Sequence, residues 1–89
     1  MKKYKVEYDP HTLKKLSKLD PSTRKKIKKW IDNNLEGCEN PRLHGAALHG
    51  KWKGYWKYRI DDYRIIAKIE DDKIIIFVVK IDRRDEIYS

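Results

Sequence analysis

Between Gly54 and Ile81 the chain runs through three strand-like segments separated by two Asp-Asp pairs. Nothing else in the sequence limits the fold as strongly. Gly54-Tyr55-Trp56-Lys57-Tyr58-Arg59-Ile60 alternates in character, which is the period of a strand with one covered face. Asp61-Asp62 is a plausible two-residue hairpin turn, although glycine would suit its second position better. Tyr63 to Ile69 forms the next segment, and Asp71-Asp72 predicts the next turn. Lys73 to Ile81 is rich in Ile and Val at successive positions, as expected of a central strand covered on both faces. The segments therefore predict an antiparallel meander.

Upstream, Tyr4, Val6 and Tyr8 alternate with charged residues and predict one more strand. Asp9-Pro10 and Asp20-Pro21 each pair a capping carboxylate with a proline suited to the first helical position. Two helices are expected after them. Leu13, Leu16 and Leu19 form the apolar stripe of the first; Ile27, Trp30, Ile31 and Leu35 form that of the second. Lys25, Lys26, Lys28 and Lys29 fall largely outside the stripe, and Gly37 suits the helix end. Residues 36–52 hold three glycines and Pro41 and read as a loop with an irregular turn. The order β-α-α-β-β-β implies a single α+β domain over residues 1–89: an antiparallel sheet of about four strands with an N-terminal helical hairpin packed on one face.

Composition narrows the functional classes. Basic residues number 22 against 14 acidic ones, a formal net charge of +8, which favours a polyanion or an acidic protein as partner over a merely solubilising surface. A lone Cys38 excludes an intramolecular disulfide framework, and the passive thiol is its default reading. The longest wholly apolar run, Ile74 to Val79, is far too short to span a bilayer. Met1-Lys2-Lys3 leads into no apolar stretch, so no signal peptide is expected and the domain is read as cytoplasmic, without a membrane role.

Strand alternation makes a sharper statement. Lys57 and Arg59 share one face, away from Trp56, Tyr58 and Ile60. A turn at Asp61-Asp62 sets Arg59 opposite Arg64 and Lys57 opposite Ile66. A two-residue turn at Asp71-Asp72 sets Arg64 opposite Val79, with Ile81 and Arg83 on the same side if the strand stays regular. Lys57, Arg59, Arg64 and Arg83 are then expected to converge, with Tyr88 close enough to fold back. Directly opposed arginines repel and lower stability. An anionic ligand, most naturally a phosphodiester, would neutralise them; pairing with Glu70, Asp61 or a tail carboxylate is the alternative. Tyr55 shares the parity of Lys57 and could touch the same ligand, and Lys51 and Lys53 would extend a path along its phosphates.

Leu48-His49-Gly50, Gly54, Trp56-Lys57-Tyr58-Arg59, Tyr63-Arg64-Ile65-Ile66 and Arg83 with Tyr88 together resemble the RelE toxins of the RelE/ParE toxin–antitoxin superfamily. The resemblance covers nearly the whole chain. It implies a microbial-ribonuclease-like fold and cleavage of mRNA in the ribosomal A site, by 2′-hydroxyl attack on the adjacent phosphate, without metal or other cofactor. It implies catalytic roles for Lys57, Arg59, Arg64, Arg83 and Tyr88, and an acidic, RelB-like antitoxin as partner. Asp82 departs from the His or Lys of many relatives and removes a possible phosphate contact. Arg59 stands where some relatives carry lysine; an arginine keeps its proton near neutrality and is a poor base. Lys57 is therefore the first choice as proton acceptor, because neighbouring guanidinium groups favour its neutral form. Tyr88 is the runner-up.

His44 and His49 lack further ligands at suitable spacing, so no metal site is expected. Two competing readings keep the fold and change the activity. One is a ParE-like toxin that poisons gyrase; the other is a catalytically weak RNA- or ribosome-binding relative, kept open by Arg59 and Asp82.

Overall fold

A computed structural model describes residues 2–83. Tyr88 lies outside them. The elements are β1 (Lys5–Tyr8), α1 (Pro10–Lys18), α2 (Pro21–Asn34), β2 (Ala46–Ala47), a 3₁₀ turn (Gly50–Trp52), β3 (Trp56–Ile60), β4 (Tyr63–Glu70) and β5 (Ile75–Arg83). The sheet has five strands in the order β1-β5-β4-β3-β2. Two features differ from the four-strand antiparallel expectation. The two alanines of β2 add an edge strand inside the predicted loop, and β1 runs parallel to β5. Alternation reports which face a residue occupies and says nothing of strand direction, so the second difference left no mark in the sequence.

The helices begin where the Asp-Pro pairs place them. Asp9 accepts the amide of His11, and Asp20 accepts both the amide and the hydroxyl of Thr23. Each carboxylate thus satisfies donors that a helix start leaves unpaired. Leu16 from α1 and Ile27 and Ile31 from α2, with Leu35 just beyond, pack on Tyr58, Ile60, Ile65, Ile76, Val78 and Ile81. Leu13 departs from the predicted stripe: it is 51% exposed, and Thr12 takes the inward position.

The long connection after α2 is pinned to the sheet at two points. The Tyr58 hydroxyl donates to the Pro41 carbonyl. Arg42 donates through both terminal nitrogens to Asp71, at 3.2 and 2.8 Å, and the Tyr4 hydroxyl donates to the same carboxylate at 2.7 Å. Arg42, then Tyr4, hold the Asp71 carboxyl below the usual carboxylate range. A carboxyl depressed in the folded state adds stability above its unfolded value, and that stability disappears as pH falls through the folded one. The pair is half-exposed, so its contribution is within about 1 kcal/mol. Thermal melts between roughly pH 5 and pH 2 should show the wild type losing more stability than Asp71→Asn. Equal losses would remove Asp71 from the acid transition.

Candidate functional site

The β3–β4 hairpin has the register its turn predicts. Ile60 faces Tyr63, Arg59 faces Arg64 and Lys57 faces Ile66. Asp61 turns the chain with a φ of 51°, a left-handed conformation that aspartate tolerates better than most residues, and it ion-pairs with Lys26 at 2.6 Å. Tyr58, Ile60 and Ile65 enter the core under the helices. By alternation, Lys57, Arg59 and Arg64 share the opposite, outer face.

The β4–β5 hairpin corrects the rest of the expected site. Glu70 faces Ile75, so the turn holds four residues, 71–74, and Ile74 adopts a φ of 56°. Two extra turn residues leave the faces unchanged. The ladder then shifts by one between Ile66 and Ala67: Ala67 faces Val78, Ile66 faces Lys80, and Val79 is the extra residue. A one-residue bulge exchanges the faces of everything beyond it. Arg64 therefore lies opposite Asp82 instead of Val79. Arg83 lies opposite Tyr63, so its register places it with the helix-covered face and not with Lys57, Arg59 and Arg64. It is exposed at the strand end.

Arg64 is the most unusual member of the cluster. It is 7% exposed, and its Nε and Nη1 are buried without a hydrogen-bond partner among the described residues. Buried donors are normally paired, and leaving them unpaired is costly. Arg59 opposite it is exposed and Lys57 half-buried. Trp52 joins this surface, together with Lys80, which sequence reasoning left aside. Lys80 lies over the Trp52 ring, 5.8 Å from its centroid, and Trp52 meets Tyr55 edge-to-face at 5.3 Å. Tyr55 thus belongs to an aromatic pair beside the cations, while Lys51 and Lys53 are exposed on and after the 3₁₀ turn. The shift at Val79 is the reason Lys80 was missed: a regular strand would have turned it inward.

Of the anticipated carboxylate partners, Asp61 and Glu70 do not cover the arginines, and the tail carboxylates lie outside the described residues. Asp61 is paired with Lys26, and Glu70 sits at the far end of β4. Asp82, 6% exposed, engages Lys15 of α1 through Oδ1 and approaches Lys80 at 3.7 Å through Oδ2. Elsewhere, His44 packs edge-to-face on Trp30, and burial raises the Cys38 thiol toward its neutral form. Among the described residues no cluster of three His, Cys, Asp or Glu side chains could hold a metal ion, and no helix is long and apolar enough to cross a membrane.

The outer face of this sheet thus offers a half-exposed array of cations around one buried guanidinium whose Nε and Nη1 have no partner among the described residues. Comparison with known proteins identifies the family. The sequence profile of the ParE toxin of type II toxin–antitoxin systems matches residues 6–88. The mRNA interferase toxin RelE of Escherichia coli K12 is 32% identical over 89 residues, covering 97% of this chain and 90% of RelE. The crystal structure of isolated E. coli RelE superposes with a TM-score of 0.73 at 28% identity, over 96% of this chain and 90% of that one. The RelBE2 toxin–antitoxin complex of Mycobacterium tuberculosis contains a chain with the same fold, at a TM-score of 0.82 and 22% identity over 92% and 99% of the two chains. The chain belongs to the RelE/ParE family of toxins of type II toxin–antitoxin systems.

Proposed function

We propose that this toxin cuts mRNA on the ribosome, using the outer sheet face to hold the scissile phosphate. One observation carries the reading: Arg64 is buried on a cationic face, with two donors unpaired among the described residues, directly across from Arg59. Such a guanidinium matches two oxygens of a phosphodiester and is already desolvated before the ligand arrives.

In the reaction the 2′-oxygen bonds to phosphorus while the bond from phosphorus to the 5′-oxygen breaks. A cyclic phosphate and a free 5′-hydroxyl result. Arg64 and Arg59 stabilise the charge that develops on the non-bridging oxygens. Lys57 takes the 2′-hydroxyl proton, and a proton returns to the 5′-oxygen. The reaction as written requires no metal. Trp52 and Tyr55 supply rings on which a neighbouring base can stack. Tyr88 remains a candidate for proton handling or stacking, and Arg83 for contacts beyond the scissile phosphate.

The names of the relatives support this reading: RelE of E. coli is called an mRNA interferase toxin, and the M. tuberculosis neighbour is a toxin–antitoxin complex. The same names support an acidic, RelB-like antitoxin that covers the +8 protein, with fast, salt-sensitive association in the cytoplasm. The profile's ParE designation keeps gyrase as the competing target.

Mapping transcript 5′ ends in a translating extract tests the proposal. Wild type should produce new 5′-hydroxyl ends within the reading frame, none at a 2′-deoxy position. Arg64→Ala should lose about 10²–10³-fold in rate, as when one oxyanion donor is removed. Intact transcripts, with gyrase-linked DNA breaks on expression, would transfer the protein to the gyrase reading.

A further inference from the structure

Asp82 is a buried carboxylate standing across the β4–β5 ladder from the one buried guanidinium of the site, yet no ion pair joins the two. Its oxygens go elsewhere: Oδ1 to Lys15 on α1, Oδ2 toward Lys80, its second neighbour along β5. Both lysines keep part of their side chains in solvent, at 48% and 37% exposure, while the carboxylate between them is 8% exposed. Lys80 stands over Trp52 on the same face as Arg64. The arrangement is a carboxylate with two ammonium groups around it, placed beside buried guanidinium donors that have no partner among the described residues.

We propose that Asp82 is an internal counter-anion that sets how tightly this face holds RNA. This rests on the reading of the outer face as a phosphate site. Asp82 occupies Lys15 and Lys80, so those two cations are withheld from the ligand, while Nε and Nη1 of Arg64 have no partner among the described residues. Its own negative charge, close to the phosphate position, also opposes the incoming strand. The surface therefore binds with fewer effective cations than its sequence suggests, and a substitution that neutralises Asp82 releases them.

Salt dependence makes this measurable, because each phosphate neutralised on a single strand contributes about −0.7 to the slope of log affinity against log salt. A short single-stranded RNA carrying 2′-deoxy substitutions, so that it is not cut, serves as the probe. Asp82→Asn should bind it several-fold more tightly than wild type. The salt slope should steepen by up to about 1.4 when both lysines are released. Lys80→Met should cost less than about twofold in the wild-type background and about tenfold in the Asp82→Asn background, a coupling of ordinary size for contacting groups. Equal costs in the two backgrounds, or an unchanged slope for Asp82→Asn, would overturn the proposal. If Asp82→Asn melts too early to assay, the triple variant Lys15→Met/Asp82→Asn/Lys80→Met, which leaves no buried charge unpaired, decides: affinity no more than about twofold below wild type supports the counter-anion, and a larger loss overturns it. Arg64→Ala separates the two levels of argument. If it binds the probe as wild type does, the phosphate site itself fails. If it loses binding while the lysine results go the wrong way, only the role of Asp82 fails.

Discussion

Arg64→Met is expected to melt at a higher temperature than the wild type while cutting RNA at least about a hundredfold more slowly. Both halves follow from the same atoms. The guanidinium is 7% exposed, two of its nitrogens are buried without partners among the described residues, and it faces a second arginine. Leaving a buried polar group unsatisfied costs about 1–3 kcal/mol, and opposed like charges add to that cost. Methionine keeps much of the unbranched stem and removes the charge. For a domain of this size each kcal/mol moves the midpoint by about 4–8 °C, so a rise of about 5 °C or more is expected in a thermal melt. Added inorganic phosphate should raise the wild-type midpoint and leave the variant where it is, since only a ligand that binds the folded state shifts it. A lower midpoint for Arg64→Met would show that Arg64 is structurally satisfied, and the phosphate reading would lose its main support.

The second large effect concerns the support of the site. Tyr58→Ala is expected to cost about 3–5 kcal/mol, as for other large aromatic truncations. Tyr58 is fully buried, packs on Trp30 with ring centroids 5.9 Å apart, and donates its hydroxyl to Pro41. Gly45 lies so close beneath it that an added Cβ would sit 2.9 Å from its ring. Truncation therefore opens a cavity, orphans a carbonyl and frees the connection that carries β2 against β3. A domain of this size has a total stability of about 5–15 kcal/mol, so much of it disappears. Urea unfolding reads the loss as a lower midpoint. Tyr58→Phe, which removes only the hydrogen bond, should fall by about 1 kcal/mol. If alanine were as mild as phenylalanine, the ring would not be holding the β3 edge.

The parts of this site differ in how plainly the sequence announces them, and the differences have physical causes. The β3–β4 hairpin is legible because a tight turn fixes register, and register with period-two alternation fixes faces. Lys57, Arg59 and Arg64 follow from that alone. The helix starts are legible because Asp and Pro act locally on the same turn. The β4–β5 hairpin is not. Its turn places Ile74, a β-branched residue, in the left-handed region, against the usual preference. The extra residue that redirects Asp82 and Arg83 is a valine indistinguishable from its neighbours. Leu13 kept the spacing of its stripe and still faces solvent, because α1 is short and only part of its face meets the sheet.

The parallel pairing of β1 with β5 has a consequence for how such a toxin is made. Lys5 pairs with Ile75 and Tyr8 with Val78. The strand that leaves the exit tunnel first has nothing to close upon until the codons for β5 have been read, and Asp82 and its lysines assemble at the same late moment. Emerging segments fold as units only once their partners exist. On the proposed activity, a nascent chain of this design stays harmless to the ribosome translating it until β5 has emerged.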